Sequence, residues 1–182
     1  MIIAFNGEMG VGKTTAIGVA RNFFSYNTHL VKFAGPLYEM QEYIYQRISS
    51  VHTRPATFTK DRKLLQWLGT DWGRTTVGPN IWVDLWKASM EDVTKGGLIG
   101  LCDDCRFDNE AEAVRASGGV VIKIVSDKNK ERIDTTSGIS AHASESGIAA
   151  HLVDYVIVNN GTKEEFEAEL TELLNNISRG KL

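Results

Sequence analysis

Apolar and polar positions come in blocks along this chain, and the period changes from block to block. "MIIAFN" at 1–6 is a short, partly β-branched apolar run that ends at a glycine-rich turn. "TTAIGVARNFF" at 14–24 then carries its apolar residues at helical spacing, so a strand, a loop and a helix open the chain. "HLVKFA" at 29–34 predicts a second strand that stops before Gly35-Pro36, where proline ends sheet pairing and can begin the helix "LYEMQEYIYQRI" at 37–48. Residues 49–59 show no period and are expected to form a loop. "KDRKLLQWLG" and "NIWVDLWKASMEDV" predict two further helices, with "TDWGRTTVGP" as the separator between them.

The run "GLIGLCDD" at 97–104 is continuously apolar until its terminal acids, as expected of a central strand buried on both faces. A helix "NEAEAVRAS" follows and closes at Gly118-Gly119. "VVIKIV" at 120–125 and "DYVIVNN" at 154–160 are the fourth and fifth strands. The polar segment 126–150 lies between them as an excursion from the core. The amphipathic "TKEEFEAELTELLNNI" ends the order, with Thr162 and Glu165 spaced as a capping box. Strands alternating with helices predict an α/β fold in which a parallel five-stranded sheet is covered on both faces. With no repeat or linker, all 182 residues are expected to form one domain.

Composition narrows the function classes. At 42% hydrophobic and 24% charged residues the chain falls in the ordinary globular range. A formal net charge of −3 and no Lys/Arg run leave no general attraction for nucleic acid or membrane, so any phosphate recognition must be local. The N-terminus has no basic n-region and the chain has no 18-residue apolar stretch, which predicts a cytoplasmic protein.

Local phosphate recognition has a specific signature. Gly7-Glu8-Met9-Gly10-Val11-Gly12-Lys13-Thr14 matches G-x-x-x-x-G-K-[ST] between a predicted strand and a predicted helix, the context this motif requires. Its glycines let successive backbone N–H groups face an anion, and the helix N-terminus adds positive potential. Gly7, Gly10, Val11, Gly12, Lys13, Thr14 and Thr15 are therefore the expected ATP site. Lys13 should reach the β and γ phosphates, and the Thr14 hydroxyl should bind Mg²⁺. No base-reading N-K-x-D follows a later strand, which argues against a GTPase, and the length suits a small-molecule kinase. Such an enzyme brings two polyanions together and needs cations beyond Lys13. Arg62, Arg74, Arg106 and Arg132 are the candidates. Arg106 is favoured because it follows the third strand, and ligands of parallel sheets bind beyond strand C-termini.

These segments carry a family likeness. "FAGPLYEM", "DRKLLQWLGTDWGR", "DDCRFDNEAEAVRASGG" and "HASESGI" together resemble the phage-type deoxynucleoside monophosphate kinases, relatives of adenylate kinase in the P-loop kinase fold. The resemblance implies transfer of the ATP γ-phosphoryl group to the 5′-phosphate of a deoxynucleoside monophosphate. It also implies a helical acceptor-binding insertion at about 36–95 and a lid at about 126–150. Gly35, Pro36, Arg62, Gln66, Thr70, Arg74, Arg106 and Glu110 would line the acceptor site, and Asp104 would touch the acceptor side and hold Mg²⁺ with Thr14. Arg132, His142, Ser144 and Glu145 would belong to the lid, with Arg132 joining Lys13 and Arg106 in catalysis. The chain departs from the family pattern at Cys105, where a valine is expected, and at Asp108, where a proline is expected and an aspartate would serve as a helix cap. A nucleoside or dephospho-coenzyme A kinase, or a regulatory ATPase with no acceptor, are the alternatives. Monomer and homodimer both stay open.

The only two cysteines, Cys102 and Cys105, form a C-x-x-C pair. The aspartates between them disfavour a reactive thiolate, and no further Cys or His pair completes a zinc set. Cys102 is expected in the sheet core, with Cys105 as a small apolar residue on the opposite face if the strand continues that far.

Overall fold

The computed structural model describes residues 1–51, 60–127 and 147–180. Five strands, β1 (Ile2–Asn6), β2 (Thr28–Leu30), β3 (Ile99–Cys102), β4 (Val120–Val125) and β5 (Tyr155–Val158), form one sheet in the order β2-β3-β1-β4-β5. Every pairing is parallel. Among the described residues the α-helices are α1 (Lys13–Phe23), α2 (Gly35–Ser49), α3 (Arg62–Gln66), α4 (Ile81–Lys95), α5 (Asp108–Ala116) and α6 (Lys163–Ser178), with a short 3₁₀ turn at Ala150–Leu152.

Alternation along β1 assigns the two faces. Ile3 and Phe5 pack with Ala16, Ile17 and Ala20 of α1 and with Phe166, Leu170 and Leu174 of α6. Ile2 and Ala4 pack with Trp86 and Met90 of α4 and Ala111 and Val114 of α5. On α4, Trp82, Trp86 and Met90 recur every four residues and are all essentially buried. Trp86 stacks on Phe33 at 4.6 Å and donates its Nε1–H to the Val31 carbonyl, which fixes the chain leaving β2. The predicted box at the start of α6 is present: Thr162 Oγ1 accepts from Glu165 N, and Glu165 Oε2 accepts from Thr162 N.

The structure differs from the sequence-based expectations in four places. The predicted separator 70–79 is helical almost throughout, because α3 runs on into a π-helical segment, Trp67–Val77. Gly69 and Gly73 there let the widened turn press against Leu37 and Trp82. The second strand stops at Leu30, since the chain beyond it turns toward Asp104. Asp108 does not cap α5: Phe107 occupies the N-cap position, and Asp108 Oδ1 accepts from Ala149 N instead. Finally, β3 ends at Cys102, so the strand alternation never reaches Cys105, and both cysteines enter the same apolar cluster. Burial holds both as thiols, with pKa values pushed up.

Candidate active site

The loop between β1 and α1 emerges where the order of strands reverses, at the C-terminal edge of the sheet, which is the crevice where open parallel sheets bind ligands. Gly12 is the residue before α1 and has φ = 112°, a left-handed conformation that favours glycine. A Cβ at that position would lie 2.8 Å from Asn159 Nδ2. Asn159, just past β5, donates that Nδ2–H to the Val11 carbonyl at 2.8 Å and so braces the loop from the end of a strand two places away in the sheet. Lys13 folds back over the loop and donates to the carbonyls of Gly7 and Glu8, both at 2.7 Å. Its pKa is lowered, first by burial and next by the positive charge of Arg106, which therefore lies within electrostatic reach of Lys13. Thr14 is exposed and Thr15 half-buried in the first turn of α1.

The acids after β3 divide into different roles. Asp104, expected to hold Mg²⁺, accepts from Phe33 N at 3.0 Å through Oδ1 and from Ala34 N at 2.9 Å through Oδ2. Both oxygens thereby fasten the turn leading into Gly35 and Pro36 at the start of α2. The Cys102 thiol adds a contact at 3.3 Å. Burial raises the Asp104 pKa, and the two N–H bonds oppose that rise. Asp103 opposes the lowering of the Lys13 pKa more strongly than Glu8 or Asp104 does. Lys32 Nζ donates to its Oδ2 at 3.1 Å and lies 3.0 Å from Oδ1, a buried atom that takes no aligned hydrogen bond.

A second group of side chains gathers at the start of α5. Arg74, from the π-helical segment, has Nη2 2.8 Å from Glu110 Oε1 and its guanidinium 3.9 Å from the centre of the Phe107 ring. Glu110 Oε2 accepts from Arg106 N at 2.8 Å and Phe107 N at 3.2 Å. Glu110 is thus a buried partner of two arginine-bearing segments, where the sequence had suggested a direct ligand contact. Arg106 itself has an exposed side chain. Arg62, Gln66 and Thr70 are exposed along the same helical run as Arg74 and make no side-chain hydrogen bond or ion pair among the described residues. Arg132, His142, Ser144 and Glu145 lie outside the described residues.

Sequence reasoning missed Asp103, Asn159, Lys32 and Phe107. The first two carried a usable signal, since each is a polar residue directly after a buried strand, where parallel sheets present ligand groups. For Lys32 and Phe107 no pattern in the chain predicted the partner across the fold.

The sequence profile of the family described as deoxynucleotide monophosphate kinase matches residues 14–170. The chain belongs to this family. The deoxynucleotide monophosphate kinase of Enterobacteria phage T4 is 32% identical over 114 residues, covering 62% of this chain and 44% of the phage protein. The deoxynucleoside-5′-monophosphate kinase of Escherichia phage T5 is 31% identical over 107 residues, covering 56% and 40%. The chain therefore matches less than half the length of these two relatives. A protein of Acanthamoeba polyphaga mimivirus is 29% identical over 198 residues, and the alignment covers 98% of both chains. Among solved structures, a dephospho-CoA kinase from Campylobacter jejuni superposes with a TM-score of 0.55 at 14% identity, covering 100% of this chain and 98% of that one. A sugar kinase from Janibacter gives 0.52 at 14% identity, covering 96% and 94%. At such identities these likenesses establish the fold, which is that of the P-loop kinases with a five-stranded parallel sheet between helices.

Proposed function

We propose that this chain transfers the γ-phosphoryl group of MgATP to the 5′-phosphate of a deoxynucleoside monophosphate, giving the diphosphate and ADP. The observation that carries this reading is the pair of arginine-bearing segments beside the phosphate loop. Lys13 and the loop N–H groups suffice to hold one polyphosphate, whereas Glu110 pairs with the Arg74 side chain and holds the Arg106 backbone, so two arginine-bearing segments meet there and offer charge for a second anion. A regulatory ATPase has no use for that second group. Membership of the family supports the same choice of acceptor.

In this reading Lys13 holds the β and γ phosphates and Arg106 spans donor and acceptor. Arg74 takes the acceptor phosphate, with Gln66, Thr70 and Arg62 further along the same helical run. Gly35 and Pro36 form the opposite wall, held at fixed height by Asp104. The donor set for a metal is the Thr14 hydroxyl with Asp103, whose buried Oδ1 lacks an aligned hydrogen bond. One hydroxyl and one carboxylate suit Mg²⁺, which keeps phosphate oxygens and waters in its other positions. Mg²⁺ bound there would offset charge on the donor phosphates. No general base is required, because the acceptor oxygen is already anionic and the protein's task is alignment and charge compensation. Arg132 is a candidate to complete the cationic set from the 126–150 lid. Free nucleotides as substrates fit an enzyme of the cytoplasm of an infected cell.

The test is ADP release with ATP and Mg²⁺ and each of dAMP, dGMP, dCMP and dTMP in turn. Acceleration by at least one nucleotide over the acceptor-free rate supports the reading, and acceleration by none overturns it.

A further inference from the structure

We infer that Glu110 is a positioning residue that joins Arg74 and the Arg106 loop into one rigid receptor for the acceptor's 5′-phosphate, without touching the nucleotide itself. The inference rests on the function proposed above. Its basis is the set of contacts around one carboxylate whose side chain is only 3% exposed. Oε1 faces Arg74, thirty-six residues away in the chain, while Oε2 accepts the backbone N–H groups of Arg106 and Phe107. The two oxygens therefore serve two different segments, and removing the charge would uncouple them.

The shape of the cluster also determines what Arg74 has left to offer. The Phe107 ring covers one face of its guanidinium and Glu110 takes one N–H at one edge, so the remaining N–H donors lie in the plane and away from Glu110. An arginine held in this way gives up little rotamer entropy when it meets a planar pair of phosphate oxygens, which is the advantage of preorganisation. A role limited to capping α5 would explain Oε2 and leave Oε1 unexplained. Capping also places no requirement on an arginine from another helix stacked over the residue before α5.

Glu110→Gln separates the two roles. The amide oxygen can still accept from Arg106 N or Phe107 N, while its NH₂ group faces the Arg74 donors and cannot pair with them. Loss of this charge-assisted contact is expected to raise the acceptor KM about 10- to 150-fold, with the ATP KM changed less than about twofold. Arg74→Ala should produce a similar rise, and the double variant should be no worse than Arg74→Ala alone, because both changes remove one interaction. If Glu110→Gln fails to fold, Glu110→Asp keeps the charge but withdraws it from Arg74, and the same split is expected.

Calorimetric titration with the preferred nucleotide, in the absence of ATP, gives a second readout independent of turnover. Three outcomes overturn the positioning role: unchanged acceptor affinity in Glu110→Gln, an equal rise in both KM values, or penalties that multiply in the double variant. Failure of the wild-type protein to respond to any of the four nucleotides overturns the kinase reading instead, and is recognised before any variant is made.

Discussion

Asp103 and Asp104 are neighbours of the same residue type, and the structure predicts opposite consequences of removing them. Asp104→Ala leaves the N–H groups of Phe33 and Ala34 without acceptors in a turn where Phe33 is 3% exposed. An unsatisfied buried donor costs about 1–3 kcal/mol, and Ala34 is only half-buried, so the two together cost about 2–4 kcal/mol. Removing a carboxylate that burial already disfavours offsets part of this, leaving about 2–3 kcal/mol. At roughly 2–4 °C per kcal/mol for a chain of this size, Tm falls by about 4–12 °C. Asp104→Asn should lie close to it, because an amide supplies one acceptor oxygen and turns a donor toward the other N–H. Asp103→Ala loses a pair with Lys32 whose side chains are 38% and 15% exposed, worth at most about 1 kcal/mol, so Tm moves by no more than about 4 °C. Its cost should fall on chemistry, as a drop in kcat of about a hundredfold or more that raised Mg²⁺ does not fully restore. Thermal unfolding followed by circular dichroism, together with coupled ADP release over a Mg²⁺ series, reads both quantities. A thermally intact Asp104→Ala that has lost its Mg²⁺ dependence, beside an unstable Asp103→Ala with normal kcat, would refute the division of labour.

Other consequences can be checked in the same assays. Gly12→Ala places a side chain in a left-handed conformation and against Asn159, so about 1–3 kcal/mol of strain should weaken ATP binding about 5- to 150-fold by calorimetry, with the acceptor KM little changed. Asn159→Ala removes the brace on Val11 and should raise the ATP KM several-fold, for a loss of about 1 kcal/mol, and an unchanged KM would show that the loop holds its shape alone. Gly73→Ala puts a Cβ into the Trp82 ring and 2.7 Å from the Leu68 carbonyl, an overpacking cost of about 1–3 kcal/mol visible as a lower Tm. The Glu110 pKa is raised, chiefly by burial, so between its folded value and the ordinary 4.5 the native state binds more protons than the unfolded one. This contribution to stability is complete below 4.5 and is lost as pH rises through the folded value. The Tm advantage of the wild-type protein over Glu110→Gln should therefore widen as pH falls from neutrality toward 4.5, and a narrowing would contradict the sign.

Much of the fold was legible because it is local. β1, β4 and α6 follow from apolar period and capping residues alone, and the phosphate loop from the spacing of Gly7, Gly12, Lys13 and Thr14. The π-helical segment escaped because Gly, Thr and Asp between Thr70 and Pro79 carry the composition of a turn, and only packing against Leu37 and Trp82 makes that stretch helical.

The candidate site divides along the same line. Sequence by itself determined which residue types are available and where a phosphate loop must form, since both depend on contiguous residues. It also marked "DDCRF" as chemically loaded, without showing which aspartate does what. That assignment needed the tertiary structure, because a carboxylate's role depends on which donors reach it. Phe33 and Ala34 reach Asp104, Lys32 reaches Asp103, and Arg74 crosses thirty-six residues to reach Glu110. Hydrogen bonds and ion pairs act over about 3 Å of space and take no account of distance along the chain, so only folding decides which partners meet.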